Sequence, residues 1–450
     1  MNVEAFLDSM AKRGSSEALV AHGTSYSYAE LVSAIEEAWQ FRDVRPGSVV
    51  ALVGGFDLPT ISALFALWRR DCVVVPMLTY DEKRCEIAQV EIVVQDALPR
   101  GTGSRANHPL YTETAGPGLV LFTSGSTGVP KAAVHSVGRW FDKLSRPGRR
   151  QRTLAFLSFD HIGGLNTLLY AFANGGCLVC PTDRSPACVW ETIARHEVEL
   201  LPTTPTFLRL ALLDGTAPSM PSLRLVAYGS EPMPQATLDA AKDALPHVEF
   251  LQQYGMSELG VLRSRSREDG STWVRLGGKE FDIRVVDGLL EVRADTAMVG
   301  YLNAPSPFTE DGWLRTGDEA EQDGEWLRIR GRRSETINVG GEKVHPAEVE
   351  SLLESLPGVA QAVVHGEANP ILGQVVVASV SLTTDEPLEA FRARARTELR
   401  GKLPRYAIPQ RIEPLKGGIA DRGKKLRTAL LADNPHPALP QGGGSLAQAA

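Results

Sequence analysis

The tightest constraint on this chain is the stretch 121–131, LFTSGSTGVPK. The apolar residues Leu119, Val120, Leu121 and Phe122 read as a short buried strand. Directly after them come Thr123, Ser124, Gly125, Ser126, Thr127 and Gly128. Glycine lets backbone N–H groups turn toward one point and lets an anion come close. The hydroxyls add donors and Lys131 adds a positive charge, a set of parts suited to a polyphosphate. A Walker A loop requires G-x-x-x-x-G-K-[ST]. Here Val129 and Pro130 separate Gly128 from Lys131, so this is a phosphate loop of another kind. Taken alone, the same residues also read as a Gly/Ser surface turn.

The flanking sequence predicts the frame that would hold such a loop. Residues 28–39, YAELVSAIEEAW, have apolar positions near helical spacing. SVVALVGG (48–55) reads as a buried strand, LPTISALFALWRR (58–70) as a helix and CVVVPM (72–77) as a second buried strand. Strand–helix–strand with apolar strands implies parallel pairing in a layered α/β domain. The rhythm recurs from 153 to 262. From 264 to 325 it gives way to short β runs, which predict a small β-subdomain. Residues 335–430 read as a small α+β domain, and the end of the chain, NPHPALPQGGGSLAQAA, as disordered. The expected fold class is therefore α/β: a large N-terminal domain of layered parallel sheets with a small β-subdomain, plus a small α+β C-terminal domain. The expected bounds are 1–332, 333–434 and a tail at 435–450.

At 450 residues the chain is long enough for more than one core. A net charge of -7 and the lack of Lys/Arg blocks argue against a general nucleic-acid binder. No apolar run approaches the roughly 18–20 residues of a membrane span. The first residues lack the apolar core of a secretory signal, and five cysteines suit a reducing cytoplasm. Cys177 and Cys180 form a C-x-x-C inside the apolar run GGCLVC and read as core residues.

TSGSTGVPK (123–131) resembles the phosphate-loop signature of the adenylate-forming superfamily, which comprises acyl-CoA synthetases, adenylation domains of peptide synthetases, and luciferases. Further signatures follow in the family's order. Tyr254-Gly255-Met256-Ser257-Glu258 resembles its Tyr-Gly-x-Thr-Glu. Each residue type fits a part of a bound nucleotide. The ring can stack on adenine, the glycine permits close approach, the hydroxyl can bind phosphate and the carboxylate can hold Mg2+. Thr316-Gly317-Asp318 matches Thr-Gly-Asp, whose acid accepts both ribose hydroxyls. Gly331-Arg332 matches a Gly-Arg whose arginine contacts ribose or phosphate. Gly423-Lys424 followed by Arg427 matches Gly-Lys-x-x-Arg, whose lysine reaches the α-phosphate; Lys425 is its competitor for register. Without the series, Glu258 reads as a helix N-terminal acid, Asp318 as a turn former and Lys424 as part of a solvated basic loop.

The resemblance spans Tyr26 to about Leu430 and implies a compact version of the family, since the phosphate loop arrives early. It implies ATP binding by Thr123, Ser124, Gly125, Ser126, Thr127, Gly128, Lys131, Gly229, Ser230, Glu231, Pro232, Tyr254, Gly255, Met256, Ser257, Asp318 and Arg332. It further implies Mg2+ at Glu258 and Thr127, catalysis by Lys424, Glu258 and His161, and an acid pocket of His161, Gly163, Thr204, Gly229, Met256 and Gly260. Ser334 falls at the hinge, where relatives carry Asp or Lys, and Asn338 replaces a family lysine. The implied activity is ATP-dependent activation of an aryl or fatty acid as acyl-AMP with release of pyrophosphate, followed by transfer to a thiol, expected to be CoA. No Asp stands ready to grip an amino-acid ammonium. Other acceptors (a carrier-protein thiol, an amine or nitrite) and a non-catalytic nucleotide-binding relative are the alternatives.

Overall fold

Short apolar runs bounded by Gly, Asp and Ser turns are too brief for helices and assemble into two seven-stranded sheets. The computed structural model describes residues 1–123, 129–215, 219–267, 270–278 and 280–415. In one sheet the spatial order is Gly300–Tyr301, Lys131–Ser136, Gly118–Thr123, Val73–Met77, Val49–Val53, Ile92–Gln95 and Leu98–Gly101. Val49–Val53 pairs in parallel with Val73–Met77 and with Ile92–Gln95, as strand–helix–strand logic predicts. The other sheet runs Glu249–Gln253, Leu225–Gly229, Leu200–Thr203, Arg152–Leu154, Cys177–Val179, Glu17–Ala21 and Thr24–Ser27.

Helices lie between the sheets. Leu58–Trp68 starts at Asp57, whose side chain accepts from Thr60 N, and every residue from Thr60 to Trp68 is buried. One apolar core joins Leu19 and Leu178 of one sheet to Val50 and Leu121 of the other through Phe65, Trp68, Phe141 and Phe172. Each such side chain contributes about 1.5–3 kcal/mol on burial. Cys177 is buried and Cys180 packs against this core, as their apolar setting predicts.

Two local features depart from the sequence reading. The strands on either side of the glycine–hydroxyl run pair with each other: Gly118–Thr123 and Lys131–Ser136 are antiparallel, and Thr123 pairs with Lys131. Residues 124–128, singled out above, lie outside the described residues. A proline also lies inside a strand, where the sequence would place a turn or loop. Pro202 belongs to the strand Leu200–Thr203 and pairs with Ala227. The neighbouring strand Arg152–Leu154 pairs only as far as Leu200, so Pro202 faces an open edge where its missing N–H costs no ladder bond.

The β runs after residue 264 form a six-stranded antiparallel sheet whose long strands are Leu314–Asp323 and Trp326–Arg332. Beyond the 3-10 turn Arg333–Glu335, a hairpin (Ile337–Val339, Glu342–Val344), the strands Val359–Asn369, Gly373–Leu382 and Arg411–Pro414, and the helices Pro346–Glu354 and Leu388–Leu399 enclose a separate core. Among the described residues, two arginines dock the helix Pro346–Glu354 onto the rest. Arg330 pairs with Glu348. Arg209, on the helix Pro205–Leu213, donates to the carbonyls of Glu354, Val359 and Ala360 at 2.6, 2.6 and 2.8 Å. Residues 416–450, which contain Lys424 and the expected tail, lie outside the described residues. No helix among the described residues is long and apolar enough to cross a membrane.

Candidate active site

Open parallel sheets bind ligands beyond the carboxyl ends of their strands. Three strands of the second sheet end side by side, because Thr203 pairs with Tyr228 and Gly229 with Gln253. The next residues, Thr204, Ser230 and Tyr254, therefore stand along one rim. Thr204 caps the helix Pro205–Leu213 by accepting from Phe207 N. Gly229 allows the close pairing, since a Cβ there would meet Gln253 O at 2.5 Å. Ser230 has φ of 73°, a conformation that costs a non-glycine residue of order 1–3 kcal/mol. Glu231 turns its carboxylate aside: Oε2 accepts from Thr206 Oγ1 at 2.7 Å. The segment 229–232 thus presents backbone to the rim.

The turn that follows carries the densest chemistry. Tyr254 is buried and its hydroxyl donates to Asp318 Oδ2 at 2.6 Å. Asp318 Oδ1 meets Arg332 Nε at 3.2 Å, across the strand pair that sets Asp318 opposite Arg332. Burial raises the Asp318 pKa, and the Arg332 guanidinium and the Tyr254 hydroxyl counter it. Burial likewise holds the Tyr254 phenol far above its ordinary range. Three residues from separate signatures thus meet at one carboxylate.

Gly255–Met256 and Gly260–Val261 form a two-stranded hairpin around Ser257 and Glu258. Gly255 has no room for a side chain: a Cβ would meet Gly260 O at 2.8 Å. Glu258 is 5% exposed, and its Oε1 accepts from the Tyr301 hydroxyl at 2.5 Å. Its backbone carbonyl accepts from Met298 N at 2.7 Å, and Thr296 Oγ1 donates to Leu259 O at 2.6 Å. The turn is therefore braced from behind by 296–301, a segment the sequence reading passed over. An aromatic residue in a Gly-Tyr pair after a β run was the available signal.

His161 caps the helix Ile162–Ala173, its Nδ1 accepting from Gly163 N at 3.2 Å. That helix packs on Gly260–Val261, so Gly163 and Gly260, both expected at the acid pocket, come from touching elements. Beside His161 lies a buried acid that sequence reasoning missed. Asp160 accepts from Ser158 Oγ at 2.5 Å and faces Arg84 Nη1 at 3.5 Å. Asn338, where relatives carry lysine, accepts from Gly341 N at 2.9 Å and so closes the Gly340–Gly341 turn, whose two residues have φ of 62° and 95°. Ser334 sits in the 3-10 turn Arg333–Glu335, next to Arg333, which pairs with Glu319 at 3.0 Å.

An antiparallel strand pair flanking the glycine–hydroxyl run, a buried Tyr254–Asp318–Arg332 cluster and a braced Glu258 carboxylate are arranged as expected of an enzyme of the adenylate-forming class. The model of the AMP-binding enzyme family matches residues 94–302 and that of the AMP-binding enzyme C-terminal domain residues 348–417, and the chain belongs to this family. It is an AMP-forming acid–CoA ligase of the acyl-CoA synthetase type. It is 27% identical over 456 residues to an indoleacetate–CoA ligase of Aromatoleum aromaticum, covering 86% of this chain and 88% of that protein. Its fold is that of an o-succinylbenzoate CoA synthetase from Bacillus subtilis in complex with its acyl-adenylate: TM-score 0.78, 23% identity, 96% of this chain and 99% of that one. An amide bond synthetase from Marinactinospora thermotolerans shares the fold too: TM-score 0.77, 22% identity, 95% and 99% coverage.

Proposed function

We propose that this chain activates an aryl or fatty carboxylic acid at the rim formed by Thr204, Ser230 and Tyr254, and passes the acyl group from AMP to the thiol of CoA. The observation that carries this assignment to the rim is the meeting of Tyr254, Asp318 and Arg332 at one buried carboxylate. Asp318 has acceptor capacity for ribose hydroxyls, and Arg332 supplies a fixed cation beside it. The ring of Tyr254 and the bare backbone of 229–232 give adenine a stacking face and a flat wall.

Attack of the carboxylate on the α-phosphorus builds charge on the phosphoryl oxygens, so fixed positive groups are needed there. Lys424 supplies one in this reading, while Thr123 to Lys131 hold the β- and γ-phosphates and then the departing pyrophosphate; Lys424 and 124–128 rest on the sequence alone. Among the described residues no trio of His, Cys, Asp and Glu side chains could hold a metal unaided. Glu258 offers a hard oxygen donor, which suits Mg2+ bound through one carboxylate plus nucleotide phosphates, with Thr127 as the second expected ligand. When bound, that ion neutralises charge on the phosphates. Residues 1–332 would hold ATP and the acid, with His161, Gly163, Thr204, Gly229, Met256 and Gly260 lining the acid pocket. Residues 333–434 would turn about Ser334 between the two half-reactions. All five cysteines are free thiols, which supports work in the reducing cytoplasm.

The test is pyrophosphate release over a panel of aryl, short-chain and long-chain acids, with CoA, a carrier protein or an amine as acceptor and products identified by mass. An acid-dependent burst of pyrophosphate and an acyl-CoA product are expected. Bound ATP with no pyrophosphate for any acid would overturn the proposal.

A further inference from the structure

Lys131 and Glu258, both assigned to ATP in the reading above, stand on different elements, and one side chain touches both. Tyr301 donates its hydroxyl to Glu258 Oε1 at 2.5 Å. The face of the same ring lies 5.5 Å from Lys131 Nζ. Among the described residues Lys131 has no carboxylate partner and meets this ring instead. Two residues on, Asn303 grips the backbone on either side of Lys131. Its Oδ1 accepts from Ala132 N and its Nδ2 donates to Pro130 O, both at 2.9 Å. The strand pairing Tyr301↔Ala133 fixes the register of the whole arrangement.

We infer that Tyr301 is a spacer that keeps Lys131 and Glu258 from closing into an ion pair before ATP arrives, with Asn303 as the clamp that aims the lysine. An ammonium and a carboxylate left facing each other in a partly buried site attract strongly. Their collapse would remove the cation meant for the phosphates and the oxygen donor opposite it. The phenol satisfies the carboxylate with a charge-assisted hydrogen bond and the ammonium with its π-face, so both charges stay held apart and available. Tyr301 and Asn303 are thus positioning residues for nucleotide capture. This inference rests on the roles proposed above for Lys131 and Glu258.

The experiment measures equilibrium ATP affinity by calorimetry on the full chain, with thermal unfolding as the control for folding. Lys131→Ala comes first; unchanged ATP affinity there would remove the lysine from the nucleotide and sink both the site reading and the spacer. With that loss in hand, Tyr301→Phe keeps the ring and deletes only the donor. It is expected to weaken ATP binding about tenfold, the scale of one lost hydrogen bond to a charged group. In a Glu258→Gln background, where no carboxylate can capture the lysine, the same change is expected to cost little. Asn303→Ala, at an exposed side chain, is expected to weaken ATP equally in both backgrounds. Unaltered affinity in Tyr301→Phe, or an equal loss with and without Glu258, would overturn the spacer.

Discussion

Tyr254 and Asp318, 64 positions apart in sequence, share a hydrogen bond of 2.6 Å inside the protein. The contact couples the hairpin that carries Glu258 to the antiparallel sheet that carries Arg332, so the shape of the nucleotide rim depends on both. Tyr254→Phe would leave the buried Asp318 carboxylate with Arg332 as its charged partner. A loss of about 1–3 kcal/mol in unfolding free energy is expected, with weaker ATP binding. Denaturant titration and nucleotide calorimetry on the variant measure the two effects.

His135 gives the protein an acid-sensitive point. It is fully buried on the strand Lys131–Ser136, against Trp140 at a ring distance of 5.3 Å, and among the described residues neither ring nitrogen makes a hydrogen bond of full geometry. Burial lowers its pKa from 6.5 to about 4, although the Ser257 and Thr296 backbone beside it pulls the other way. The unfolded chain takes up the proton first, so this contribution to stability is present above pH 6.5 and lost as pH falls toward about 4. The loss amounts to about 3 kcal/mol over that window. Urea midpoints of the native protein should fall through it, and those of His135→Asn should follow a flatter line.

Lys424 carries the sharpest catalytic expectation. Lys424→Ala is expected to slow ATP–pyrophosphate exchange by about a hundredfold or more, the scale of losing one fixed charge at the reacting phosphoryl, while ATP binding largely persists. Lys425→Ala should stay near the native rate. The reverse ranking would move the catalytic lysine by one position.

Gly164 is a packing test for the acid pocket. A Cβ there would meet the Ser158 carbonyl oxygen at 1.9 Å, and that oxygen is backbone and cannot swing away. Gly164→Ala should therefore push the start of the helix Ile162–Ala173, and His161 with it, out of place. A cost of about 1–3 kcal/mol is expected, with a raised KM for the acid. Gly163→Ala meets the flexible Leu157 side chain at 2.6 Å and His161 Nδ1 at 3.5 Å, no backbone atom among them, and should be milder.

Arg209 reports on the contact between the two pieces of the chain. Its three bonds to the carbonyls of Glu354, Val359 and Ala360 disappear in Arg209→Ala. Cleavage near the turn Arg333–Glu335 in limited proteolysis should accelerate, because the helix Pro346–Glu354 then keeps Arg330 as its only docking arginine among the described residues. An unchanged cleavage rate would show that the contact does not hold the two pieces together.

The alternation of apolar strands and helices was legible because periodicity and short strand length are local properties. So were the glycine–hydroxyl loop and the Tyr254, Asp318 and Arg332 signatures, each a local run of unusual composition. That the strands flanking this loop pair antiparallel was not legible. Lys131–Ser136 is as apolar as a parallel strand, and its direction is set by Gly300–Tyr301 and Gly118–Thr123 on either side. Tyr301 offered only the weak signal of a Gly-Tyr pair, and Asn303, Asp160 and Arg84 carried none, since each matters only through a partner brought from elsewhere. Asn338 read as a missing lysine, yet the fold uses it to close the turn two residues later.

The amino-acid sequence by itself determined which elements form and which chemical groups are supplied, because helix, strand and turn preferences act over a few residues. Tertiary structure alone decided which groups meet. Asp318 became the partner of Tyr254, and Tyr301 came to stand between Lys131 and Glu258, through strand pairing and burial. The physical reason is range: hydrogen bonds and ion pairs act over a few ångströms, and only the folded chain brings residues far apart in sequence within that reach.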